Sequence, residues 1–368
     1  MRIVVAAILA AWASVGVLWG QAYPFRPVAI VQPIAPSGVI DVGTSMRVHV
    51  RNNMAQPSVT APQQVNLVYA EATGSFLVLL TIAQQQRLFE KHGLEIRPVI
   101  TRGPNVPRLT GDAPVGLIGE PAAILQTAEG RDLKIVASFF RASLSGHLVG
   151  RPGIRTAADL RGKRIGVRVV GAGIWISTIL ALEQLGLTPS RDGITLLPVG
   201  SPVDILRALE DGAIDAALLP VAQSHRLQAR GYSVLLKDYP HGITAYGGGL
   251  VAAADYLDSR PEIIEKIVTA FVEALAFCLA EKNFRPVMEA FRTSLGITDE
   301  ETARNNLHEL KLKPYPSRAD LESMQRVMSF HDARTLNISI DRLIDDRLLQ
   351  KLEKDGTIAT LYDAMKRE

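Results

Sequence analysis

The chain has 368 residues, of which 47% are hydrophobic and 21% charged, a length and composition suited to a folded protein with two cores. Its 40 Lys and Arg against 37 Asp and Glu leave a net charge of +3 without a basic run, which argues against nucleic acid or an anionic membrane surface as partner. The single cysteine excludes an intramolecular disulfide, and Cys278 in "FVEALAFCLAEK" reads as a small buried hydrophobe.

Arg2 precedes an apolar run from Ile3 to Trp19 that closes on Gly20-Gln21-Ala22, small residues where a signal peptidase reads. Residues 1–22 are therefore expected to be a cleaved secretory signal and the mature protein periplasmic. An uncleaved membrane anchor is the alternative, since the run is near the lower limit of spanning length. From Tyr23, "YPFRPVAIVQPIAPSGVIDVG" has the form of a strand entering a Gly-bearing turn. Residues 51–64, polar and non-periodic, read as a linker, so 23–64 is an extension ahead of the main fold.

Regular alternation starts at Val65. "VNLVYA" is a strand, "TGS" a turn, "FLVLLTIAQQQRLFEKHG" one helix stopping at Gly93, and "LEIRPVI" the next strand. The pattern then repeats. "VGLIGE" leads as a strand into the helix "PAAILQTAEG"; "LKIVASFF" is a strand, "TAADLRG" a short helix from Thr156, "KRIGVRV" a strand and "GAGIWISTILALEQLG" a helix. "ITLLPV", "IDAALLP" and "YSVLLK" continue as strands, separated by helices at "SPVDILRALEDG", with Ser201 as its cap, and "VAQSHRLQARG". Strands divided by single helices imply an α/β fold of mostly parallel sheets flanked by helices, and from Pro261 the pattern is nearly all helical.

In open α/β sheets ligands bind beyond the carboxyl ends of strands, where helix starts offer free N–H groups. That rule selects Thr73, Gly74 and Ser75 after the first strand, although taken by themselves their hydroxyls read first as plain helix capping. It also selects Gly119, Glu120 and Pro121, with Pro121 suited to a first helical position and Glu120 either a partner for a cationic group or a carboxylate favoured by the helix dipole. Gly171, Ala172 and Gly173 form the richest turn, able to present N–H groups to an anion, with Trp175 expected to wall a small-molecule pocket. Pro220 begins a further helix on the same principle. His147 near a strand edge and Tyr246 before three glycines complete the set, although a lone histidine is more often a hydrogen-bonded structural residue than a ligand contact; the glycines read as a hinge.

Catalytic constellations are missing from the sequence. The G-x-G at 171–173 lacks the third glycine and the following carboxylate of a dinucleotide site. No nucleophile elbow, Walker loop or H-E-x-x-H is present, and no two of the seven histidines share a metal-ligand spacing, so neither a metal nor a cofactor is expected.

Taken in order, "QQQRLFEKHGLEIRPV", "GLIGEPAAILQTAEGRDLKIVASF", "GIRTAADLRGKRIGVRVVGAG", "ALEQLGLTP", "ALEDGAIDAALLP" and "LIDDRLLQKLEKDG" resemble the nitrate/sulfonate/taurine-type substrate-binding proteins of ABC importers. That family also holds binders and synthases of the thiamine pyrimidine precursor. The resemblance, over residues 65–368, implies a two-lobed periplasmic-binding-protein fold of the second type. It implies lobe 1 at 65–152, lobe 2 at 153–249, and a return to lobe 1 with C-terminal helices at 250–368. The implied function is capture of a small anion or heterocycle between the lobes and delivery to an ABC permease, by a monomer that is not an enzyme. The implied ligand turns are Thr73–Ser75, Gly119–Pro121, Gly171–Gly173 and Pro220.

Two features depart from the family. The synthase branch depends on a cysteine-rich segment, absent here, and the apolar "VVGAGIW" leaves Arg141 and Arg168 as the nearest candidate cations for a sulfonate. Residues 23–50 are separately similar to the start of tripartite tricarboxylate transporter receptors, with Pro36, Ser37, Gly38 and Asp41 in their turn. An enzyme on the same fold and a ligand-sensing subunit are the alternative readings.

Overall fold

A computed structural model describes residues 61–70, 75–102, 106–142, 146–237 and 246–366. These belong to one compact unit, Ser58–Glu368. The expected signal, most of the extension and the turn residues Thr73 and Gly74 lie outside the described residues.

In chain order the strands are β1 (Gln63–Ala70), β2 (Leu94–Thr101), β3 (Val115–Gly119), β4 (Leu133–Ala142), β5 (His147–Gly150), β6 (Arg164–Val167), β7 (Thr195–Pro198), β8 (Ala216–Leu219), β9 (Ser233–Leu236) and β10 (Tyr246–Ala253). The helices are α1 (Ser75–Gln85), α2 (Leu88–Lys91), α3 (Glu120–Ala128), α4 (Gly173–Gln184), α5 (Pro202–Asp211), α6 (Val221–Gln228) and α7 (Ala254–Ser259). They continue through α8 (Pro261–Leu279), α9 (Phe284–Leu295), α10 (Glu300–His308), α11 (Arg318–Met328), α12 (Ile340–Leu343), α13 (Arg347–Lys354) and α14 (Thr357–Lys366).

Among the described residues the strands form two five-stranded sheets, ordered β2-β1-β3-β10-β4 and β7-β6-β8-β5-β9. β1 runs parallel to β2 and β3, and β6 parallel to β7 and β8, as the strand-helix alternation requires. β10 and β5 are the antiparallel members. The expected α/β architecture of two mostly parallel sheets with flanking helices is thus what the chain adopts. The first sheet carries α1, α8 and α9 on one face, packed through Leu67, Val115, Phe139 and Phe271, and α3 and α11 on the other, packed through Ile118, Ile135 and Val251. The second sheet is covered by α4 on one side and by α5 and α6 on the other. β5 already belongs to the second sheet and β10 to the first, so each passage between sheets falls a few residues ahead of the boundaries read from sequence.

Two elements differ from the sequence reading. The single helix expected up to Gly93 is broken at Arg87, whose φ of 54° is left-handed; the break lets α2 turn Phe89 edge-on to Phe271 at 5.4 Å between ring centroids. The three glycines after Tyr246 are not a hinge but part of β10, buried between β3 and β4. Close packing explains them. A methyl group on Gly247 would fall 2.3 Å from Glu120 Oε2, on Gly248 2.3 Å from the Phe140 ring, and on Gly249 2.0 Å from the Ala137 carbonyl oxygen.

Candidate functional site

The carboxyl ends of β3 and β6 each open directly into a helix, and the two helix starts meet. At β3 the cap is Gly119, Glu120 is the first residue of α3 and Pro121 the second, one place later than expected. Beyond β6 the Ala172 N–H donates to the Val169 carbonyl at 3.1 Å, Gly171 adopts φ +76° and Ala172 caps α4. A methyl group on Gly171 would stand 3.3 Å from Pro121 Cβ, 3.6 Å from Met328 Cε and 3.7 Å from the Ala122 nitrogen. Only glycine satisfies both the left-handed backbone and the close approach of the two turns.

The first N–H groups of any helix lack intrahelical carbonyls. No side chain caps the starts of α3, α4 or α6, whereas the start of α5 is closed by Ser201 and Asp204 in a reciprocal capping box. α7, α8, α9 and α13 also begin without a side-chain cap; what sets α3 and α4 apart is that their starts touch, with α6 starting on the same edge of the second sheet as α4. Leu197 at the end of β7 and Val203 and Val221 in the first turns of α5 and α6 add exposed apolar side chains to that edge.

Trp175 does not wall a pocket. It is 2% exposed and belongs to an apolar cluster with Ile124, Leu125, Met324, Val327 and Met328, its ring edge-on to His331. Because α4 is apolar around its whole circumference, its first turn packs on α3 and α11 of the other half while Ala181 and Leu182 pack on the second sheet. Glu183 at the far end of α4 pairs with Arg326 at 2.6 Å, a second tie across the halves.

His147 opens β5 opposite Leu219 and is 5% exposed, its Nδ1 2.7 Å from Ser224 Oγ. The Ser224 hydroxyl donates to the Val221 carbonyl at 2.7 Å, so it accepts from Nδ1–H, and His147 anchors the first turn of α6. Pro220 caps α6 and is exposed. Ser75 is the first residue of α1, and Tyr246 opens β10 beyond the carboxyl end of β3.

Glu120 is the most unusual member. It is 1% exposed and its Oε1 accepts the Ser138 hydroxyl at 2.7 Å, while Gly247 leaves the space its Oε2 fills. Burial pushes its carboxyl up from 4.5 to about 7. Nearby, Asp320 of α11 holds Arg141 in a two-point pair at 3.0 and 3.1 Å, so this expected cation is already matched. Arg168 lies in the β6 to α4 turn. Lys311 completes the group: burial lowers its pKa, and its ammonium donates to the Tyr315 carbonyl. The stretch carrying Lys311 runs along β4, with Lys311 N–H donating to Phe139 O and Ser138 N–H to Pro314 O, both at 2.8 Å. Ser138, Lys311 and Asp320 had no signal in sequence, because they reach Glu120 through long-range pairing and no local motif contains them.

A family model described as "NMT1/THI5 like" matches residues 77–283. Over 207 residues the chain is 28% identical to a protein of Brucella abortus (strain 2308) provisionally described as a binding protein; the match covers 54% of this chain and 62% of that relative. Among solved structures, the alkanesulfonate-binding protein SsuA from Xanthomonas axonopodis pv. citri bound to MOPS superposes with a TM-score of 0.54 at 20% identity, covering 78% of this chain and 99% of its own. The desulfurization enzyme DSZB superposes with a TM-score of 0.50 at 16% identity, covering 80% and 99%.

Proposed function

The chain belongs to the NMT1/THI5-like family, and from that premise we propose that it is an extracytoplasmic solute receptor that binds a small organic anion between its two sheets and delivers it to an ABC permease. The observation that carries the reading is the meeting of the α3 and α4 starts at Gly171 and Pro121, both without a side-chain cap. Such a pair supplies N–H donors and two helix dipoles to one negatively charged group, with no counter-cation needed. The exposed Leu197, Val203 and Val221 on the same edge favour a solute with an apolar body, a sulfonate or carboxylate, over a bare inorganic ion. Export by a cleaved signal and action as a monomer belong to the same proposal. Among the described residues no helix is long and apolar enough to cross a membrane.

Thermal-shift screening of the purified chain against alkanesulfonates, nitrate, pyrimidines and aromatic carboxylates tests the reading. A solute at 100 times its Kd adds about 2.7 kcal/mol of stability, an easily read rise in Tm. The absence of any rise across the panel counts against a receptor of this class.

The likeness in fold to DSZB gives an enzyme on this scaffold as the second reading. It requires a nucleophile or acid-base pair at the helix starts. Cys278 is buried in α8, where burial drives its thiol far above the ordinary range, and Ser224 is buried with its proton given to Val221. Mass spectrometry of a solute that raises the Tm, before and after incubation with the protein, separates the two: a receptor returns it unchanged.

A further inference from the structure

Resting on the receptor reading, we propose that Glu120 couples solute binding to a proton: an anion held at the starts of α3 and α4 is taken up together with a proton from solvent that neutralises the Glu120 carboxylate. The step is carboxylate plus proton to carboxylic acid, with no bond made to the solute. Glu120 is the first residue of α3, one position ahead of the Pro121 that meets Gly171, and its carboxyl lies between Ser138 of β4 and Gly247 of β10. It is almost wholly buried, and among the described residues its one hydrogen bond comes from the neutral Ser138 hydroxyl. Of the charged groups around it, Arg141 of β4 is paired with Asp320 of α11, whose carboxylate repels Glu120, while Lys311, beside β4 and donating to the Tyr315 carbonyl, attracts the Glu120 carboxylate without bonding to it; burial outweighs both. A buried carboxylate without a directly bound cation is costly, and a second negative charge arriving nearby raises that cost. Burial has already moved the group to about 7, where a modest push changes its protonation.

The sign follows from linkage. An anion disfavours the ionised form, so binding raises the midpoint of Glu120. Reciprocally, affinity for a non-titrating anion falls as pH rises through neutrality, by at most about tenfold per pH unit for one proton.

The test is carboxyl carbon NMR of the full chain labelled with δ-13C glutamate, titrated from pH 5 to 9, with E120Q identifying the Glu120 signal. Inorganic sulfate and methanesulfonate serve as probes because neither titrates in this range. The expected result is a midpoint near neutrality without probe and a higher one with probe. S138A, which removes a donor to the carboxylate, should raise the probe-free midpoint. A probe-free midpoint in the ordinary carboxylate range overturns the proposal whether or not any probe binds. So does an S138A midpoint that is unchanged or lower. A probe that shifts other signals and leaves Glu120 unmoved overturns the coupling alone, whereas probes that perturb no signal overturn the receptor reading and the coupling with it.

Discussion

At Glu120 the folded protein keeps a proton through a range in which the unfolded chain has lost it, because burial lifts the carboxyl from 4.5 to about 7. Its contribution to stability is full below 4.5 and is lost as pH rises through 7, a swing on the order of 3 kcal/mol. E120Q, neutral at every pH, should melt close to wild type at pH 5 and above it at pH 8; parallel calorimetric profiles for the two proteins would contradict the burial account. Gly249 makes a different demand, since a methyl there meets backbone at 2.0 Å and backbone cannot step aside. Gly249→Ala is expected to cost at least the ~1–3 kcal/mol of overpacking, read from the urea midpoint. Glu120 was legible from its place at a strand end. Its protonation was not, because Ser138, Asp320 and Lys311 are brought to it by strand pairing and helix packing from as far as α11.

The strands and helices that alternate between Val65 and Lys237 were legible because each carries its period and its stop signal, as Ser201 and Gly212 do for α5. β10 was hidden by its own glycines, which lower strand propensity and are required only by Glu120, Phe140 and Ala137 on neighbouring elements. The break at Arg87 left no trace in the apolar spacing of α1 and α2. In α4 the helix was evident but its orientation was not: with apolar residues on every side, no stripe says which face Trp175 takes. Its place in the cluster beneath α3 and α11 predicts that Trp175→Ala costs about 3–5 kcal/mol, the range for deleting a large buried ring, measured by denaturant unfolding. A loss under about 1 kcal/mol would mean the ring faces solvent or a ligand instead.

For the molecule as a whole, two sheets joined by two passages of chain bring the starts of α3 and α4 together, although 53 positions separate their caps, Gly119 and Ala172. The strand-end rule found these turns, but their contact is a product of packing through Met328 and Trp175, which no local pattern announces. The proposed receptor holds its anion at these two touching helix starts. Ala172→Asp tests it most directly, since a carboxylate at the cap of α4 satisfies the helix start from within the chain and should preserve or raise Tm, by about 0.5–2 kcal/mol of capping. Calorimetric titration of wild type and A172D with the best solute from the screen is the decisive measurement. Wild type should bind one-to-one and a stably folded A172D at least tenfold more weakly; undiminished binding by A172D would mean that the anion is not held at the start of α4.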